Sequence, residues 1–581
     1  MSPHAPEGPS RRSLVVGAVA VAAGLSAERT AAADSSRGAP GGQRTRTAAI
    51  PAGTADTVTV GPGHTARTLA PWGTPLQAGA AARHDDAAGQ TRQVGTHHSG
   101  LHFEPLTAAG QGLLVISHEY VDESLLSSDG PRTDTADGHL AKALAATGVS
   151  VVHVRRHAEG WRTVTSRRNW RITGSTPVTF SGPVTADHPE LRTPYAARGV
   201  LGASFSGSTP WGTYLACEEN FNRFFGTDDA SWRPDELQRR YGLNSFGYGH
   251  RWHRADERYD LAAHPREANR HGWIAEIDPL RPGSTPVKRT TLGRFKHSGA
   301  TLVEAHGKAV VYSGDDENGG YLYKFVGGTP WRQRLMQQKS PLNDGTLYVA
   351  RFEEDGSGRW LPLVHGQGPL LRRNGWRDQA DVLLRARQAA DALRGTPLDR
   401  PQQTAVHPRT GYGYLALAGG TSTTVCGPDP AAARTASPAA GNRHGHILRW
   451  REQGGDATAA AFRWEFFATG GELFSSPKGL SFDRAGRLWI STGHSGDAYQ
   501  LLGNNALFVA DPTTGVLSRV ATGPRGAELT GIAHTPDGRE VFVNVQHPGE
   551  RGADDPGAAS AWPGHDPADR PRSAVVALAR S

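Results

Sequence analysis

The chain has 581 residues, and its 63 lysines and arginines against 56 aspartates and glutamates give a formal net charge of +7. Its 72 glycines, 39 prolines and 37% hydrophobic residues are typical of a turn-rich globular protein and exclude a mainly helical or disordered one. The basic residues form no long runs and no apolar segment of membrane-spanning length follows the N-terminus, so we expect no nucleic-acid partner and no stable membrane anchor.

The first predicted element is an export signal. Arg11 and Arg12 precede an apolar run at 14–25 and a small-residue stretch at 31–33. This order is typical of a signal peptide, and the arginine pair favours the twin-arginine route, with a Sec signal as the alternative. We therefore predict a twin-arginine signal peptide over residues 1–33, the twin-arginine translocation machinery as a partner, and a secreted or extracytoplasmic protein.

Short β-rich runs with glycine-containing turns recur from about residue 95 onward. The clearest predict strands at 310–313, 360–364, 414–418, 488–491, 517–520 and 541–545. Such repeats favour an all-β fold, a β-propeller with long loop and short helical insertions, over the alternative of two stacked sandwiches. We assign residues 34–58 to a disordered spacer, 59–94 to an N-terminal extension and 95–581 to this single domain.

Two helical segments interrupt the predicted strands. A short helix is expected over 140–146, before a strand at 149–154. A longer one over 378–393 begins with an aspartate cap, has apolar residues at helical spacing and is followed by Gly395. Between them, residues 218–272 have weak periodicity and are predicted to form long loops over one face, where functional sites are often built.

The densest group of candidate metal ligands is Cys217, Glu218, Glu219 and Asn220. A thiol next to two carboxylates combines soft and hard ligands. Only one other cysteine, Cys426, is present, so a disulfide framework is excluded, although a single pair stays open.

A second candidate is the acidic loop of Asp315 and Asp316, which suits Ca²⁺. The alternative is a solvated acidic turn that binds no ion. Several histidines are ambiguous between hydrogen-bonded structure and metal ligation: His97, His98, His102, His444, His446 and His547 with Glu550. No Gly-x-Ser-x-Gly motif, phosphate-binding glycine loop or Rossmann fingerprint occurs, so serine hydrolase and dinucleotide chemistry lack support.

Motifs along the chain resemble those of PhoX-type alkaline phosphatases. In order they are SHEY at 117–120, TPWGTYLACEEN at 209–220, GRFKH at 293–297, YSGDDENGGYLYKFV at 312–326, DRP at 399–401, NRHGHILRW at 442–450, Gly526–Gly531, TPDGREVFVNVQHPGE at 535–550, Trp562-Pro563 and RPRS at 570–573. The combination is highly specific, and the chain is identified as a member of this family.

The resemblance implies an exported β-propeller, six-bladed, that hydrolyses phosphate monoesters with a cluster of iron and calcium. Metal cations in such a site neutralise the phosphoryl oxygens and stabilise the charge of the transition state. Carried over to matching positions, Cys217 is the iron thiolate, and Arg400 clamps the phosphate. The remaining implied metal-site residues are Glu218 and Glu219 near iron, and Asp315 and Asp316 near calcium.

Five positions depart from the family pattern, because acidic residues are expected where this chain has Ser99, Ser298, Gln402, Lys478 and Gly493. Hard multivalent cations need anionic oxygens, which serine, glutamine, lysine and glycine side chains do not offer. We therefore predict that the full iron–calcium cluster does not assemble. The alternative is that the loop alignment is shifted, or that neighbouring carboxylates such as Asp399 or Asp483 substitute.

Two functions of different class follow from these departures. The first is a phosphatase of the PhoX type that has lost part of its metal ligands, with Cys217 to Glu219 and Asp315 to Asp316 holding one ion. The second is a noncatalytic or altered-metal propeller that binds a small phosphate-bearing or anionic ligand. In either case Lys296, Arg400 and Lys478 are expected to meet the anion directly.

Overall fold

The computed structural model describes residues 49–80, 86–107, 110–126, 137–420, 436, 442–550, 559–566 and 569–580. The predicted signal peptide, most of the predicted spacer and Cys426 lie outside the described residues. No helix of the described ranges combines the length and the apolar character that a membrane span needs.

The described part of the chain is dominated by strands. Strands β1 to β10 are, in chain order, Thr59–Val60, His64–Leu69, His98–Thr107, Gln111–His118, Gly148–His157, Gly160–Thr163, Trp170–Ile172, Thr179–Ser181, Ala203–Ser208 and Tyr214–Glu218. Strands β11 to β20 are Ile274–Ile277, Val287–Arg289, Thr301–Ala305, Lys308–Gly314, Asn318–Gly320, Leu322–Gly327, Gly345–Phe352, Ser357–Pro362, Leu398–Asp399 and Pro401–Val406. Strands β21 to β30 are Gly413–Leu417, His446–Glu452, Ala461–Thr469, Pro477–Phe482, Leu488–Thr492, Ala506–Ala510, Leu517–Thr522, Glu528–His534, Glu540–Gln546 and Ala574–Arg580.

The helices are short and lie between the strands. The α-helices, α1 to α8 in chain order, are Ala87–Gln90, Glu123–Leu126, Asp137–Ala146, Glu236–Arg240, Trp331–Met336, Gln379–Leu384, Ala386–Leu393 and Asp497–Leu502. The 3₁₀ helices are Pro189–Leu191, Phe221–Phe224, Gly247–Gly249, Trp252–Arg254, Glu257–Tyr259, Glu267–Arg270, Thr290–Leu292, Pro341–Asn343, Arg372–Asn374 and Gln453–Gly455.

The strands pair into antiparallel meanders, apart from β8, which runs parallel to β12. The sheet orders are β2-β30-β29-β28, β3-β4-β5-β6 with β7 on β5, β8-β12-β11-β10-β9, β1-β27-β26-β25-β24, β15-β19, and a nine-stranded sheet β13-β14-β16-β17-β18-β23-β22-β21-β20. Successive meanders of this kind confirm the predicted all-β propeller class. Because β18 pairs with β23 and joins two meanders into one sheet, the sheet list alone does not set the number of blades.

The segment at residues 59–94, predicted as an extension, contributes strands to two of these sheets. β1 pairs with β27, and β2 pairs with β30 over its whole length, from His64 opposite Arg580 to Leu69 opposite Val575. The last strand of the chain is therefore bordered by one of the first.

The predicted strands are confirmed with small shifts of their ends. One example is the hairpin β13–β14, in which Ala305 pairs with Lys308 around a two-residue turn. Both turn residues, His306 and Gly307, have positive φ, 51° and 72°, as tight hairpin turns require. The strand expected at 360–364 starts and ends earlier, at Ser357–Pro362.

The helix predicted over 378–393 is two helices, so the prediction of one continuous helix is wrong. Asp378 caps α6 by accepting from the backbone N–H of Asp381, as expected. The break falls at Arg385, whose φ of −106° and ψ of 38° lie outside the helical region. Its guanidinium lies 4.3 Å from the centre of the Trp376 ring. The second helix ends at Leu393. The residue that caps it, Arg394, has left-handed backbone and lies one residue before the predicted stop at Gly395.

Aromatic side chains fill the space between neighbouring sheets. Phe103 on β3 stacks on Phe542 on β29 with ring centres 5.3 Å apart, and Trp161 packs edge-on against both rings. These rings lie in a core cluster together with Leu114 and Val152. Such packing between sheets, rather than within one, holds the strand ends in fixed relative positions.

Candidate functional site

A cavity of about 990 Å³ lies where the first strands of several sheets begin. Four strands, β3, β9, β24 and β28, each have at least one of their first three residues in its wall. Arg400, which immediately precedes β20, also lies in the wall. Residues far apart in sequence therefore meet at one end of the fold. The lining residues with polar or charged side chains used below are Ser99, Glu119, Tyr120, Ser204, Glu219, Asn220, Arg223, Asp316, Arg400, Ser476, Lys478, Glu528, Gln546, His547 and Glu550.

Arg400 and Asp316 form a two-pronged ion pair in this cavity. Arg400 Nε donates to Asp316 Oδ1 and Nη2 donates to Oδ2, each at 2.9 Å. Although burial opposes ionisation, the Arg400 charge holds the pKa of Asp316 well below its ordinary value. The Arg400 backbone has a positive φ of 59°, so this residue is held in an unfavourable conformation. The structure thus brings together two of the predicted site residues.

Lys478 and Glu528 form the second ion pair. Lys478 Nζ lies 3.1 Å from Glu528 Oε2. Burial disfavours the ammonium, but Glu528 raises the pKa of Lys478 above its ordinary value, so the side chain is charged at neutral pH. A Cβ at Gly493 would lie 2.7 Å from Glu528 Cδ and 2.8 Å from Lys478 Cε. A side chain at 493 would therefore have to displace one member of this ion pair.

Glu219 lies beside another carboxylate, that of Glu119. Asn220 Nδ2 donates to Glu219 Oε1 at 2.6 Å and to Glu119 Oε1 at 3.3 Å, and Gln546 Nε2 donates to Glu119 Oε2 at 2.9 Å. Burial, together with the charges of Asp316 and Glu119, raises the pKa of Glu219 well above its ordinary value. Of the predicted metal-site residues, only Glu219 and Asp316 line the cavity.

Another part of the cavity wall carries a network of Tyr120, His547, Glu550 and Arg223, which was not assigned to the site from the sequence. The Tyr120 hydroxyl donates to both oxygens of Glu550, at 2.9 and 3.0 Å. His547 Nδ1 lies 2.7 Å from Glu550 Oε2. The Arg223 guanidinium lies 4.8 Å from the centre of the Tyr120 ring. Tyr120 and His547 belong to motifs that signalled the family, but nothing in their local sequence placed them opposite each other.

Cys217 lies outside the cavity, in the hydrophobic core with Leu215, Ile274 and Phe295. β10 alternates its side chains, so Cys217 shares the sheet face of Leu215. Burial raises the pKa of the thiol well above its ordinary value, which disfavours the thiolate form that a metal ligand would need.

Glu218 is also turned away from the cavity and has its own partners. Its carboxylate accepts from Lys288 Nζ at 2.8 Å, and from the backbone N–H groups of Gly272 and Trp273 at 3.1 Å. The Leu201 backbone N–H also donates to it at 3.0 Å, and His271 Nδ1 lies 3.1 Å from Oε1. Although burial opposes ionisation, Lys288 and His271 lower the pKa of Glu218 to about 2. These contacts are those of a structural buried ion pair.

Asp315 and Lys296 have structural partners too. Arg387 pairs with both oxygens of Asp315, with Nε at 2.8 Å from Oδ2, and the Lys296 backbone N–H donates to Asp315 Oδ1 at 3.1 Å. Lys296 Nζ donates to Glu317 Oε2 at 2.7 Å. Neither side chain is part of the cavity wall.

Ser298 and Gln402, two of the departed positions, are buried next to each other. The Ser298 backbone N–H donates to Gly314 O at 2.9 Å, and a Cβ at Gly314 would collide with the carbonyl oxygen of Gln402. Among the described residues, Ser298 Oγ and Gln402 Oε1 have no hydrogen-bond partner. Ser99, a third departed position, has its Oγ 3.4 Å from Ser204 Oγ in the cavity wall.

A metal site would need several ligand side chains close together in the described ranges. In those ranges no three side chains of histidine, cysteine, aspartate or glutamate come together as a group that could hold a metal ion. The carboxylates of the cavity are instead paired with arginine, lysine, asparagine and tyrosine side chains.

Known proteins provide an independent comparison. Residues 45–549 match the family model described as alkaline phosphatase PhoX. The chain is similar to the solved structure of Pseudomonas fluorescens PhoX in complex with vanadate, a transition state analogue, with 37% identity, a TM-score of 0.85, and coverage of 92% of this chain and 98% of that one. No curated protein sequence matches the chain.

Two gluconolactonase structures are much less similar. The Xanthomonas campestris enzyme has 10% identity and a TM-score of 0.27, covering 84% of this chain and 97% of that one. The periplasmic enzyme of Pseudomonas aeruginosa has 10% identity and a TM-score of 0.29, covering 77% and 79%. At such low TM-scores, neither structure informs the fold or the function of this chain. The family predicted from the motifs is confirmed by the model match and by the PhoX structure, and the chain therefore belongs to the PhoX alkaline phosphatase family.

Proposed function

We propose that this protein binds phosphate monoesters in the cavity and hydrolyses them without the full iron–calcium cluster. The observation that carries the proposal is the presence of two charged cations, Arg400 and Lys478, in one cavity wall. Asp316 takes two of the five N–H donors of the guanidinium, and Glu528 lies against the ammonium. Both cations retain donor capacity for the oxygens of a phosphoryl group.

The chemistry of the donor set supports the absence of the full cluster. Serine and glutamine at 298 and 402 leave buried polar atoms without partners in the described ranges, and their oxygens are neutral. The Lys478 ammonium stands where the family pattern has a carboxylate. Hard cations need anionic oxygens, so these residues do not fit an iron–calcium cluster. Family membership is the support for phosphate monoesters as the substrates.

The charge of the two cations suits the chemistry of the reaction. Hydrolysis of a phosphate monoester places negative charge on the phosphoryl and leaving-group oxygens in the transition state. Fixed cations in a partly enclosed site stabilise that charge more than water does. Arg400 has a planar guanidinium that bonds two oxygens at once, whereas Lys478 acts as a point charge.

We also propose that the protein is exported by the twin-arginine route. The support is the sequence order of Arg11-Arg12, the apolar run and the small-residue site.

The test uses full-length protein purified after export by its own signal. Metal content, phosphate release from p-nitrophenyl phosphate with and without a strong chelator, and binding of inorganic phosphate are measured on one sample. We expect far less than one iron per chain, chelator-resistant hydrolysis, and phosphate binding that weakens in Arg400→Lys, because lysine lacks the two-pronged donor.

Two results would contradict this proposal in different ways. Near-stoichiometric iron with calcium-dependent hydrolysis would overturn the loss of the cluster. Phosphate binding without any hydrolysis would replace hydrolysis by the alternative, a noncatalytic propeller that binds an anionic ligand.

A further inference from the structure

His547 occupies a position in the cavity from which it can exchange a proton with a bound ligand. Its Nδ1 lies 2.7 Å from Glu550 Oε2, and its Nε2 lies 3.9 Å from Glu528 Oε2. The same Glu528 oxygen is 3.1 Å from Lys478 Nζ. One ring nitrogen therefore lies against the Glu550 carboxylate, while the other faces Glu528, the carboxylate that is paired with the cation proposed to meet the phosphoryl group.

Glu550 is well placed to orient the imidazole. The two oxygens of its carboxylate share the single O–H donor of Tyr120, at 2.9 and 3.0 Å, so it has a fixed partner other than His547. Although burial opposes ionisation, His547 and Tyr120 hold the pKa of Glu550 well below its ordinary value. A fixed carboxylate on one ring nitrogen sets the direction in which the other nitrogen points.

Several non-glycine residues at or next to this wall have left-handed backbone. His547 has a φ of 36°, and two other non-glycine residues of the cavity wall, Ser476 and Arg400, have φ of 48° and 59°. His97, which packs on Tyr120 with ring centres 4.2 Å apart, has a φ of 46°. Left-handed backbone outside glycine is uncommon and tends to gather at functional sites.

We propose that His547 is the general acid of phosphate-ester hydrolysis in this cavity and that Glu550 is its positioning residue. The inference rests on the proposed function. Water oxygen forms a bond to phosphorus as the bond from phosphorus to the ester oxygen breaks. The electron pair of that bond goes to the ester oxygen, which takes the proton from His547 Nε2 and leaves as an alcohol. The proton lost by the attacking water passes to solvent, from which His547 is protonated again.

The groups that face His547 in the described part of the chain include two carboxylates, a tyrosine and a histidine, and they are consistent with this role. Glu550 and Glu528 face its two nitrogens, and the Tyr120 ring lies 6.3 Å away. His97, with ring centres 5.9 Å apart, is the other histidine nearby. Burial lowers the pKa of His97 to about 3, so His97 stays neutral and does not compete as a proton donor.

The first test replaces the acid and compares two leaving groups. His547→Asn suits the left-handed backbone but cannot act as an acid. On an alkyl phosphate, whose alkoxide leaves poorly, we expect kcat/KM to fall by about 10²–10⁴-fold. On p-nitrophenyl phosphate, whose phenolate leaves without a proton, the loss is expected to be several-fold at most. The rate on the alkyl phosphate, which in the unchanged protein falls as pH rises and the imidazolium is lost, should no longer show that decline.

A second variant and a matched control separate positioning from general damage. Glu550→Gln removes the charge that favours the imidazolium, so the high-pH decline should move to lower pH, which a purely structural role would not cause. His306→Asn is the control, because His306 also has positive φ, 51°, and pairs with Asp456 at 3.1 Å, but lies exposed in a turn outside the cavity wall. Its kinetics should be unchanged.

The outcomes are distinguishable. A loss in His547→Asn that is equal for both substrates, or a high-pH decline that persists in it, would overturn the role of His547 while leaving hydrolysis in place. Lack of turnover of either ester by the unchanged protein would overturn the proposed function itself. A leaving-group-dependent loss together with the shifted pH profile of Glu550→Gln supports the inference.

Discussion

The cavity owes its electrostatic character to two half-buried cations, each matched by a buried carboxylate. The Lys478–Glu528 pair has side chains only 16% and 6% exposed, and the Arg400–Asp316 pair is similar on the Asp316 side. In such pairs the Coulomb attraction offsets the desolvation cost only while both partners are present. The same side chains that can bind a phosphoryl group therefore also stabilise the cavity wall through their ion pairs.

Removing one partner of the lysine pair should reveal this dual role. In Lys478→Met, Glu528 is left buried and without its cation, so we expect the free energy of unfolding to fall by about 3–5 kcal/mol, measured by urea denaturation. The double variant Lys478→Met with Glu528→Gln removes both charges and should recover most of that loss, while phosphate binding stays weak in both. Equal stability of the single and double variants would contradict the coupling.

The residue types of the site were partly predictable from sequence. Arg400, Lys478, Asp316 and Glu219 were predicted and do line the cavity. Cys217 and Glu218 were not separable from Glu219 by sequence, because three consecutive residues at the end of a strand point to different sides and the bulge between Ala216 and Glu218 alters the alternation. Only the fold shows which of the three reaches the cavity.

At the scale of elements, one carboxylate joins two helices and a loop. Glu123 at the start of α2 pairs with His139 of α3 and with His250, whose Nδ1 is 3.1 Å from Oε1. Although burial opposes ionisation, these two histidines lower the pKa of Glu123 to about 2. The contact ties α2 and α3 to the long segment at residues 218–272.

The lowered pKa of Glu123 makes a prediction about stability at low pH. Because the folded-state pKa is below the ordinary value of 4.5, the stabilisation is fully present above about pH 4.5 and is lost as pH falls towards 2. The shift corresponds to about 3 kcal/mol. Glu123→Gln should therefore lower the free energy of unfolding at pH 6, with a difference that shrinks between pH 4.5 and 2. A difference that stays constant over this range would contradict the assignment.

Strands were easier to predict from the sequence than the breaks between helices and the short 3₁₀ helices. Apolar runs flanked by turn residues located strands such as β25 and β29, which are buried along their whole length. The break between α6 and α7 was missed because Arg385 has good helix propensity, and the conformation that ends the helix there depends on tertiary neighbours. The short 3₁₀ helices of residues 218–272 likewise lack a periodic signal.

On the scale of the whole molecule, the positions that depart from the family pattern belong to strands far apart in the sequence, two at the ends of the nine-stranded sheet and one in the sheet that contains β24. Ser298 precedes β13, Gln402 lies in β20 and Lys478 in β24, so a cluster can be rebuilt only by changing all of them together. In Ser298→Glu with Gln402→Glu and Lys478→Asp, we expect iron and calcium to bind and hydrolysis to become sensitive to a chelator, because anionic oxygens replace neutral and cationic groups.

Metal content and chelator-sensitive turnover measure this outcome. The matched control is Lys478→Asp alone, which places a carboxylate beside Glu528 without completing a ligand set and should gain no stoichiometric metal. A folded triple variant that remains free of metal would contradict the assignment of these three positions as lost ligands.

The pairing of β2 with β30 has a consequence for biogenesis. Until the ribosome has made residues 574–580, one edge of β2 has no neighbour, and an open strand edge invites pairing with other chains. The sheet of β2, β30, β29 and β28 is therefore complete only when residues 574–580 have paired with a strand made about 500 residues earlier. A chain that lacks residues 574–580 leaves this edge of β2 unpaired, and an unpaired edge is prone to pairing with other chains.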